Sequence, residues 1–313
     1  METAFGLGID RRFALLRRLG DGGMGHVWLA RDRDSGAEVA LKLPAVTPDD
    51  DDDVLQRFRR EAEVGAKVDS PHLVKVLEHG VTDEGLPFIA MEHVAGEDLF
   101  ARIHAQTFLP LTDTREIVRQ SCLALEALHA RGIVHRDVKP ANLLVVDGRH
   151  GLEVKLADFG LAWETCASHV TQANMVVGTP LYMSPERLTA RDIGPACDLW
   201  SIAAVAYECL TGRPPFVGST YGAICISIGR GLIASVCELR PGLPHELDAW
   251  FDAALNTDPE KRFASAAEVA ASFAAACDGG DDTRSSGVHL RGHARSSWWR
   301  RALASPMVFL GSG

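Results

Sequence analysis

The sequence lacks the patterns that mark several classes of protein. Its seven cysteines form no C-x-x-C pair and are odd in number, so we expect neither a zinc cluster nor a framework of disulfide bonds, and we expect a reducing compartment. No charged segment followed by an apolar one opens the chain, and no apolar run has the length that spans a bilayer. We therefore expect a soluble, cytoplasmic chain.

Positive charge is also scarce. Lys and Arg number 32 against 42 Asp and Glu, which gives a formal net charge of −10 at pH 7. This balance argues against nucleic acid as a main partner, because phosphate binding requires a basic surface. Five consecutive aspartates at 49–53 supply half of that charge and predict a solvated loop. With 46% hydrophobic residues in 313 positions, the chain has enough apolar side chains for a sizeable core.

The stretch 135–142 reads H-R-D-V-K-P-A-N and predicts a catalytic loop. Pro140 excludes a helix interior there and biases Lys139 towards an extended backbone. Apolar residues at 133–134 and 143–146 predict short buried strands on both sides. The polar side chains are therefore expected on a loop that is held at both ends.

A glycine-rich pattern, G-x-G-x-x-G-x-V, runs from Gly20 through Gly22 and Gly25 to Val27. A dinucleotide-binding fingerprint would open a helix after its last glycine. Here residues 27–30 continue as a strand instead, so the pattern predicts a hairpin. Glycines in such a hairpin let backbone amides approach phosphates closely.

Two further positions carry charge at informative places. Lys42 lies near the end of a strand of alternating polarity at 38–43; taken alone it is more typical of an exposed strand lysine than of a functional one. Residues 54–67 have apolar side chains at helical spacing. Glu61 and Glu63 are two carboxylates that lie on different faces of this helix.

The order of these motifs resembles one family. H-R-D-x-K-P-x-N, followed sixteen residues after its asparagine by D-F-G at 158–160, resembles the eukaryotic-type protein kinases, and Lys139 resembles their serine/threonine branch. G-G-M-G and T-G-R-P-P-F resemble bacterial members. The resemblance covers about residues 11–277 and implies a bilobal α/β (α+β) fold. It implies a β-rich N-lobe at about 11–91, a hinge at 92–96 and a helical C-lobe at 97–277.

The resemblance also implies a role for individual residues. Asp137 would orient the substrate hydroxyl or accept its proton, and Lys139 would contact the transferring phosphate. Lys42, paired with Glu61 or, as the alternative, with Glu63, would bind phosphates of ATP. Asn142 and Asp158 offer the oxygen ligands that suit Mg²⁺.

The remaining nucleotide contacts implied by the family lie at the hinge and in an apolar cleft. The backbone of Glu92 and Val94 would bind the adenine edge, with Met91 behind it. Phosphates would lie under the glycines of the hairpin. The apolar residues expected around adenine are Leu19, Val27, Ala40 and Leu144.

Residues 178–186 resemble the region of the family that receives the substrate peptide. Thr179 there is expected to contact the catalytic loop, and Glu186 to pair with Arg262. Asp198 would accept hydrogen bonds from the backbone of the catalytic loop. Thr171, in the segment that follows D-F-G, is expected to receive an activating phosphate, because the cation of Arg136 beside the catalytic residue would attract an anion.

The sequence therefore predicts a serine/threonine protein kinase that uses ATP and Mg²⁺ and acts on protein substrates. Two alternatives remain at this point: a scaffold with the kinase fold but no chemistry, and a small-molecule kinase, which would not need residues 178–186. Residues 278–313 form a basic tail, predicted to be disordered. It is either the end of a gene fragment or a segment whose residues 298–310 contact a membrane surface or a partner. The oligomeric state stays open.

Overall fold

A computed structural model gives the architecture of most of the chain. The residues that it describes are 12–22, 25–44, 56, 58, 62–63, 65–82, 85–149, 151–158, 180–189 and 193–279. The aspartate run, Glu61, the segment 159–179 and the tail from residue 280 lie outside them. No helix among the described residues is long and apolar enough to cross a membrane.

The amino-terminal part forms a five-stranded antiparallel sheet. Its strands, in chain order, are β1 Phe13–Gly22, β2 Gly25–Asp32, β3 Glu38–Pro44, β4 Val76–Val81 and β5 Pro87–Glu92. They lie in the order β1-β2-β3-β5-β4. Apolar side chains on the two faces form separate small clusters, and one of these contains Phe58 and Ala62 of the short helical stretch before residue 66.

The glycine-rich hairpin is formed by β1 and β2, in which Gly22 pairs with Gly25. A Cβ atom on Gly25 would lie 1.9 Å from the carbonyl oxygen of Leu43, so the close contact between β2 and β3 requires glycine at this position. Strand β1 is irregular between Leu15 and Arg17 and again between Arg18 and Gly20. Leu19 lies at the second irregularity and is 37% exposed, as expected where a bulge redirects a side chain.

A second, three-stranded sheet connects the hinge to the catalytic segment. It contains β6 Glu97–Asp98, β7 Leu143–Gly148 and β8 Gly151–Leu156, in that order. A Cβ atom on Gly96 would lie 2.3 Å from the carbonyl oxygen of Val145. The chain can therefore approach β7 this closely only because residue 96 is glycine. The end of β8 leads directly to Asp158.

The carboxy-terminal part is helical. Its helices are α1 Leu99–Gln106, α2 Leu111–His129, α3 Pro185–Leu188, α4 Ala196–Thr211, α5 Tyr221–Arg230, α6 Val236–Leu239, α7 Glu246–Ala254 and α8 Ala266–Cys277. Helix α4 is apolar around its whole circumference and is buried from Cys197 to Leu210, as a central helix must be. Trp200 stacks on Phe216 with ring centroids 5.2 Å apart. The other helices pack around this core.

Two strand predictions fail where isolated apolar residues were taken as strands. Residues 133–134 have no strand structure, and both side chains are only partly buried. The apolar residues at 73–77 also predict a strand, but the strand there begins at Val76 and runs to Val81. Leu73 makes only an isolated bridge with Leu156, because the backbone of its neighbours His72 and Val74 bonds to Leu156 of β8.

Candidate active site

The catalytic loop is held by one buried carboxylate. Asp198 Oδ2 accepts the backbone N–H of His135 at 2.8 Å, and its Oδ1 accepts the N–H of Arg136 at 2.7 Å. The imidazole of His129 lies 2.8 Å from Oδ2. Burial alone would raise the pKa of Asp198, but the contacts with His129 and His135 outweigh it, and the pKa is lower than usual. The predicted contact between Asp198 and the loop backbone is confirmed.

This contact explains an unusual backbone conformation. Arg136 has φ +67°, a left-handed conformation that costs free energy for a side chain other than glycine. Its N–H is nevertheless directed at a buried, ionised acceptor. A charge-assisted hydrogen bond of this kind offsets the strain, so the turn that precedes Asp137 is fixed.

His135 joins the catalytic loop to the segment of Asp158. Its side chain is 1% exposed, and burial lowers its pKa, so the ring is neutral. Nδ1 accepts the N–H of Asp137 at 3.3 Å. The proton is therefore on Nε2, which donates to the carbonyl oxygen of Ala157 at 3.2 Å. Asp137 and Asp158 thus lie on segments that one side chain connects.

Asp137 lies between two donors from its own loop. Lys139 Nζ donates to its Oδ2 at 2.7 Å, and Asn142 Nδ2 donates to the same oxygen at 3.0 Å. The Asn142 amide also donates to the Asp137 carbonyl oxygen at 2.8 Å. A short 3₁₀ turn, Pro140–Asn142, brings Asn142 back over Asp137. Because the amide nitrogen is used in these bonds, the amide oxygen of Asn142 faces away from Asp137.

Lys42 and Asp158 meet across the two sheets. The Lys42 amine donates to Asp158 Oδ1 at 2.9 Å, and Lys42 is 7% exposed. The positive charge of Lys42 lowers the pKa of Asp158, although burial opposes the shift. Asp158 has φ +56°, which turns its carboxylate towards β3. The partner that we predicted for Lys42, Glu61, lies outside the described residues, so that pairing stays a prediction; Phe58 and Ala62 beside it are buried.

An apolar cluster lies next to this ion pair. It contains the buried Ala40 and Met91, and it is bordered by partly buried Val27, Val94 and Leu144. Three of the four apolar side chains expected around adenine, all except Leu19, are therefore in one cluster together with Met91 and Val94. Glu92 ends β5, and its N–H donates to the Lys75 carbonyl oxygen at 2.9 Å.

The oxygen atoms near Asp137 suit a hard cation. Asn142 and Asp158 supply an amide and a carboxylate oxygen, which is the small protein contribution typical of Mg²⁺ bound together with phosphates. No group of three or more His, Cys, Asp or Glu residues in the described ranges is arranged to bind a metal ion by itself. A cation here would need ligands from a substrate or from water.

Of Thr171, Thr179 and Glu186, only Glu186 lies within the described residues. Arg262 donates to both carboxylate oxygens of Glu186, at 2.7 and 2.8 Å, so the predicted pair is confirmed. Tyr182 Oη donates to Oε2 of buried Glu208 at 2.6 Å. These contacts connect the segment around α3 to the central core.

Sequence reasoning missed three side chains that hold this site. His129, Glu208 and Lys155 each contact a residue more than 20 positions away in sequence. Only Asp198, which His129 contacts, and Glu208 carry a sequence signal, since a charged residue within an apolar helix requires a partner. The identity of that partner depends on packing between distant elements.

Comparisons with known proteins agree with this geometry. A family model described as a protein kinase domain matches residues 13–273. The serine/threonine-protein kinase PknH of Mycobacterium tuberculosis is 36% identical over 260 residues, which are 82% of this chain and 41% of PknH. PknA of the same species is 34% identical over 279 residues, 88% of this chain and 63% of PknA. The chain thus spans less than two thirds of either relative.

A solved structure supports the same assignment. The crystal structure of the M. tuberculosis PknI kinase domain matches with a TM-score of 0.68 and 30% sequence identity, covering 87% of this chain and 100% of that one. The predicted two-lobed fold and the family resemblance are confirmed. The chain belongs to the protein kinase domain family and is homologous to mycobacterial serine/threonine kinases.

Proposed function

We propose that this chain transfers the γ-phosphate of ATP to serine and threonine hydroxyls of proteins, and that it phosphorylates its own activation segment. The observation that carries this proposal is the convergence of Asp137, Lys139 and Asn142 with the Lys42–Asp158 ion pair. We assign residues 11–277 to the kinase domain, with lobes at 11–91 and 97–277 joined by the hinge 92–96.

Adenine would bind within the apolar cluster. Val27, Ala40 and Leu144 belong to this cluster; Val27 and Ala40 would cover one side of the ring and Leu144 the other, and Leu19 would contribute if β1 moves inward when nucleotide binds. At the hinge, the Glu92 carbonyl oxygen would accept a hydrogen bond from the exocyclic amine of adenine. The Val94 N–H, which has no backbone acceptor among the described residues, would donate to the ring.

The phosphates would lie between the hairpin of Gly20, Gly22 and Gly25 and the amine of Lys42. Glu61 would orient that amine when the two approach each other. Asn142 Oδ1 and a carboxylate oxygen of Asp158 would hold Mg²⁺. The bound cation would neutralise charge on the phosphate oxygens, which is the main electrostatic requirement of phosphoryl transfer.

Asp137 would orient the attacking hydroxyl. In the absence of substrate its Oδ2 accepts hydrogen bonds from both Lys139 and Asn142, which fix the direction of the carboxylate. A hydroxyl bound at Asp137 would have its proton directed at the carboxylate while Lys139 contacts the transferring phosphate. The protein thus contributes orientation and charge rather than a covalent intermediate.

Protein substrates would bind along residues 178–186. Thr179 would contact the catalytic loop, and Glu186 would hold the segment through Arg262. Phosphate on Thr171 adds about −1.5 to −2 charge, enough to order a loop against arginine. Arg136 is the arginine that would bind this phosphate. Autophosphorylation on Thr171 is the form of regulation that this arrangement would use.

The experiment that tests this function uses the purified chain, γ-labelled ATP, Mg²⁺ and a generic protein acceptor. We expect label on serine and threonine of the acceptor and on the chain itself. Phosphatase treatment should lower the rate and preincubation with ATP should restore it, except in Thr171→Ala. Label that appears only on a small molecule, or no transfer by a chain that binds ATP, would refute the proposal. Full activity of Thr171→Ala with no phosphate at 161–177 would refute the regulatory part.

A further inference from the structure

A polar cavity lies beside the hinge, where the segment before β4 meets β8. It has a volume of about 330 Å³ and is lined by Asp69, Ser70, Pro71, Lys75, Glu92 and Lys155. The side chains of Glu92 and Lys155 line this cavity together, one from the last residue of β5 and one from β8. Neither side chain is used by the phosphoryl-transfer chemistry proposed above.

Glu92 and Lys155 form an ion pair, which we call the hinge ion pair. The Lys155 amine donates to Glu92 Oε1 at 2.7 Å, and the two side chains are 24% and 29% exposed. The same oxygen accepts the backbone N–H of Lys75 at 2.8 Å. In return, the Glu92 N–H donates to the Lys75 carbonyl oxygen at 2.9 Å. The end of β5 is therefore held from two directions.

The two donors belong to one connected unit. The N–H of Val74 donates to the Leu156 carbonyl oxygen at 2.9 Å, and the N–H of Leu156 donates to the His72 carbonyl oxygen at 2.8 Å. Residues 72–74, which lead directly into Lys75, are thus bonded to β8 through the backbone, whatever the side chains are. The carboxylate of Glu92 joins the hinge to this unit, and Lys155 supplies the charge that holds the carboxylate.

We propose that Lys155 is a positioning residue for nucleotide binding. Through the carboxylate of Glu92, it fixes the backbone of Glu92 and Val94 that binds the adenine edge. The inference rests on the proposed function, because it assigns the adenine edge to that backbone. Lys155 does not contact the nucleotide; it lowers the cost of ordering the hinge before the nucleotide binds.

The size of the effect follows from the exposure of the pair. A partly exposed ion pair alters an equilibrium constant by about twofold to fivefold. Since the hinge orders adenine and not the phosphates, the loss should be equal for adenosine and for ATP. Because solvent reaches the pair, the loss should also shrink as the salt concentration rises from low values to about 1 M.

The test measures dissociation constants for adenosine and for Mg²⁺-ATP on the whole chain. We expect Lys155→Met to weaken both ligands by the same factor, about twofold to fivefold, and Lys155→Arg to restore binding. Lys75→Met is the matched control: its side chain lines the same cavity, but only its backbone bonds Glu92, so binding should stay at the parent level. Adding Glu92→Gln to Lys155→Met should cause no further loss, because both changes remove one pair.

Three results would overturn the inference. The first is an unchanged adenosine affinity in Lys155→Met, and the second is a loss of affinity in Lys75→Met equal to that in Lys155→Met. The third is faster turnover by Lys155→Met with unchanged affinity, which would make the hinge ion pair a restraint on lobe movement. Lys42→Met separates this inference from the proposed function, because it should weaken ATP and leave adenosine unchanged. A parent chain that binds neither ligand would refute the proposed function, and this inference with it.

Discussion

Replacing Glu186 by glutamine should destabilise the chain far more than the loss of one ordinary ion pair. The side chain of Arg262 is 1% exposed and that of Glu186 is 10% exposed. Arg262 donates twice to Glu186 and also to the carbonyl oxygens of Asn256 and Ala196, at 2.7 and 3.0 Å. Its guanidinium lies 4.8 Å from the ring centroid of Trp200. The guanidinium cannot turn to solvent without breaking these contacts.

The expected cost follows from that burial. Removing one partner of a buried pair leaves an uncompensated charge and typically costs about 3–5 kcal/mol. Glutamine keeps one acceptor, and the two carbonyl oxygens remain, so we expect the lower end, about 3 kcal/mol. For a chain of this size, each kcal/mol lowers the melting temperature by about 2–4 °C, which gives a decrease of roughly 6–12 °C.

The measurement compares melting temperatures of the parent, Glu186→Gln and Glu38→Gln. Glu38 pairs with Arg31 on the surface at 3.2 Å, with both side chains about half exposed, so its loss should cost no more than about 1 kcal/mol. Burial would raise the pKa of Glu186, but the hydrogen bonds from Arg262 prevail and lower it from its usual value of 4.5.

That lowered pKa fixes the direction of the pH dependence. A carboxylate whose pKa is lower in the folded than in the unfolded chain stabilises the fold above the unfolded value of 4.5. This stabilisation is lost as the pH falls through the folded value. The difference between parent and Glu186→Gln should therefore be full at pH 7 and shrink below about pH 4.5. Equal melting temperatures for the parent and Glu186→Gln at pH 7, or a difference between them that does not change with pH, would refute this reasoning.

Three more predictions follow from the contacts of the site. Asp198→Asn should lower the turnover number and cost about 1.5–3 kcal/mol of stability, because an amide has one acceptor oxygen where the donors now bind both oxygens of the carboxylate. Steady-state kinetics and melting curves would measure the two effects, and values like those of the parent would contradict the prediction. Asp158→Ala should remove the Mg²⁺ dependence of ATP affinity; titrations that stay equally sensitive to Mg²⁺ would count against Asp158 as a ligand. Burial raises the pKa of the Cys122 thiol to about 12, so alkylation at pH 8 should leave Cys122 unmodified in the folded chain and modify it in urea. Mass spectrometry would detect the difference, and rapid modification of Cys122 in the folded chain would disprove its burial.

Local chemistry explains what could be predicted from the sequence. Proline at 140 and the spacing of polar residues around it mark the catalytic loop, and the glycines at 20, 22 and 25 mark a hairpin, in which a larger residue at 25 would collide with β3. An apolar helix with one aspartate at its start, Asp198, marks a buried acceptor. Each of these features depends on residues close together in the chain.

The rest depends on packing between distant segments. Asp113 and Glu116 have the spacing of a capping box, but helix α2 begins at Leu111 with Pro110 before it, so Asp113 lies inside its first turn. Lys155 alternates with apolar residues like any exposed strand lysine, and only the fold brings Glu92 to it. The bulge that exposes Leu19 is likewise set by the pairing of β1 with β2 and not by a local signal.

The most direct test of the account measures phosphate transfer from γ-labelled ATP by Asp137→Asn. Asp113→Asn, a change of the same kind in the first turn of α2, is the control. We predict that Asp137→Asn lowers the turnover number by about 10²- to 10⁴-fold, with ATP affinity and melting temperature near those of the parent and with the control fully active. Turnover by Asp137→Asn comparable to that of the parent would contradict the catalytic role on which the proposed function depends.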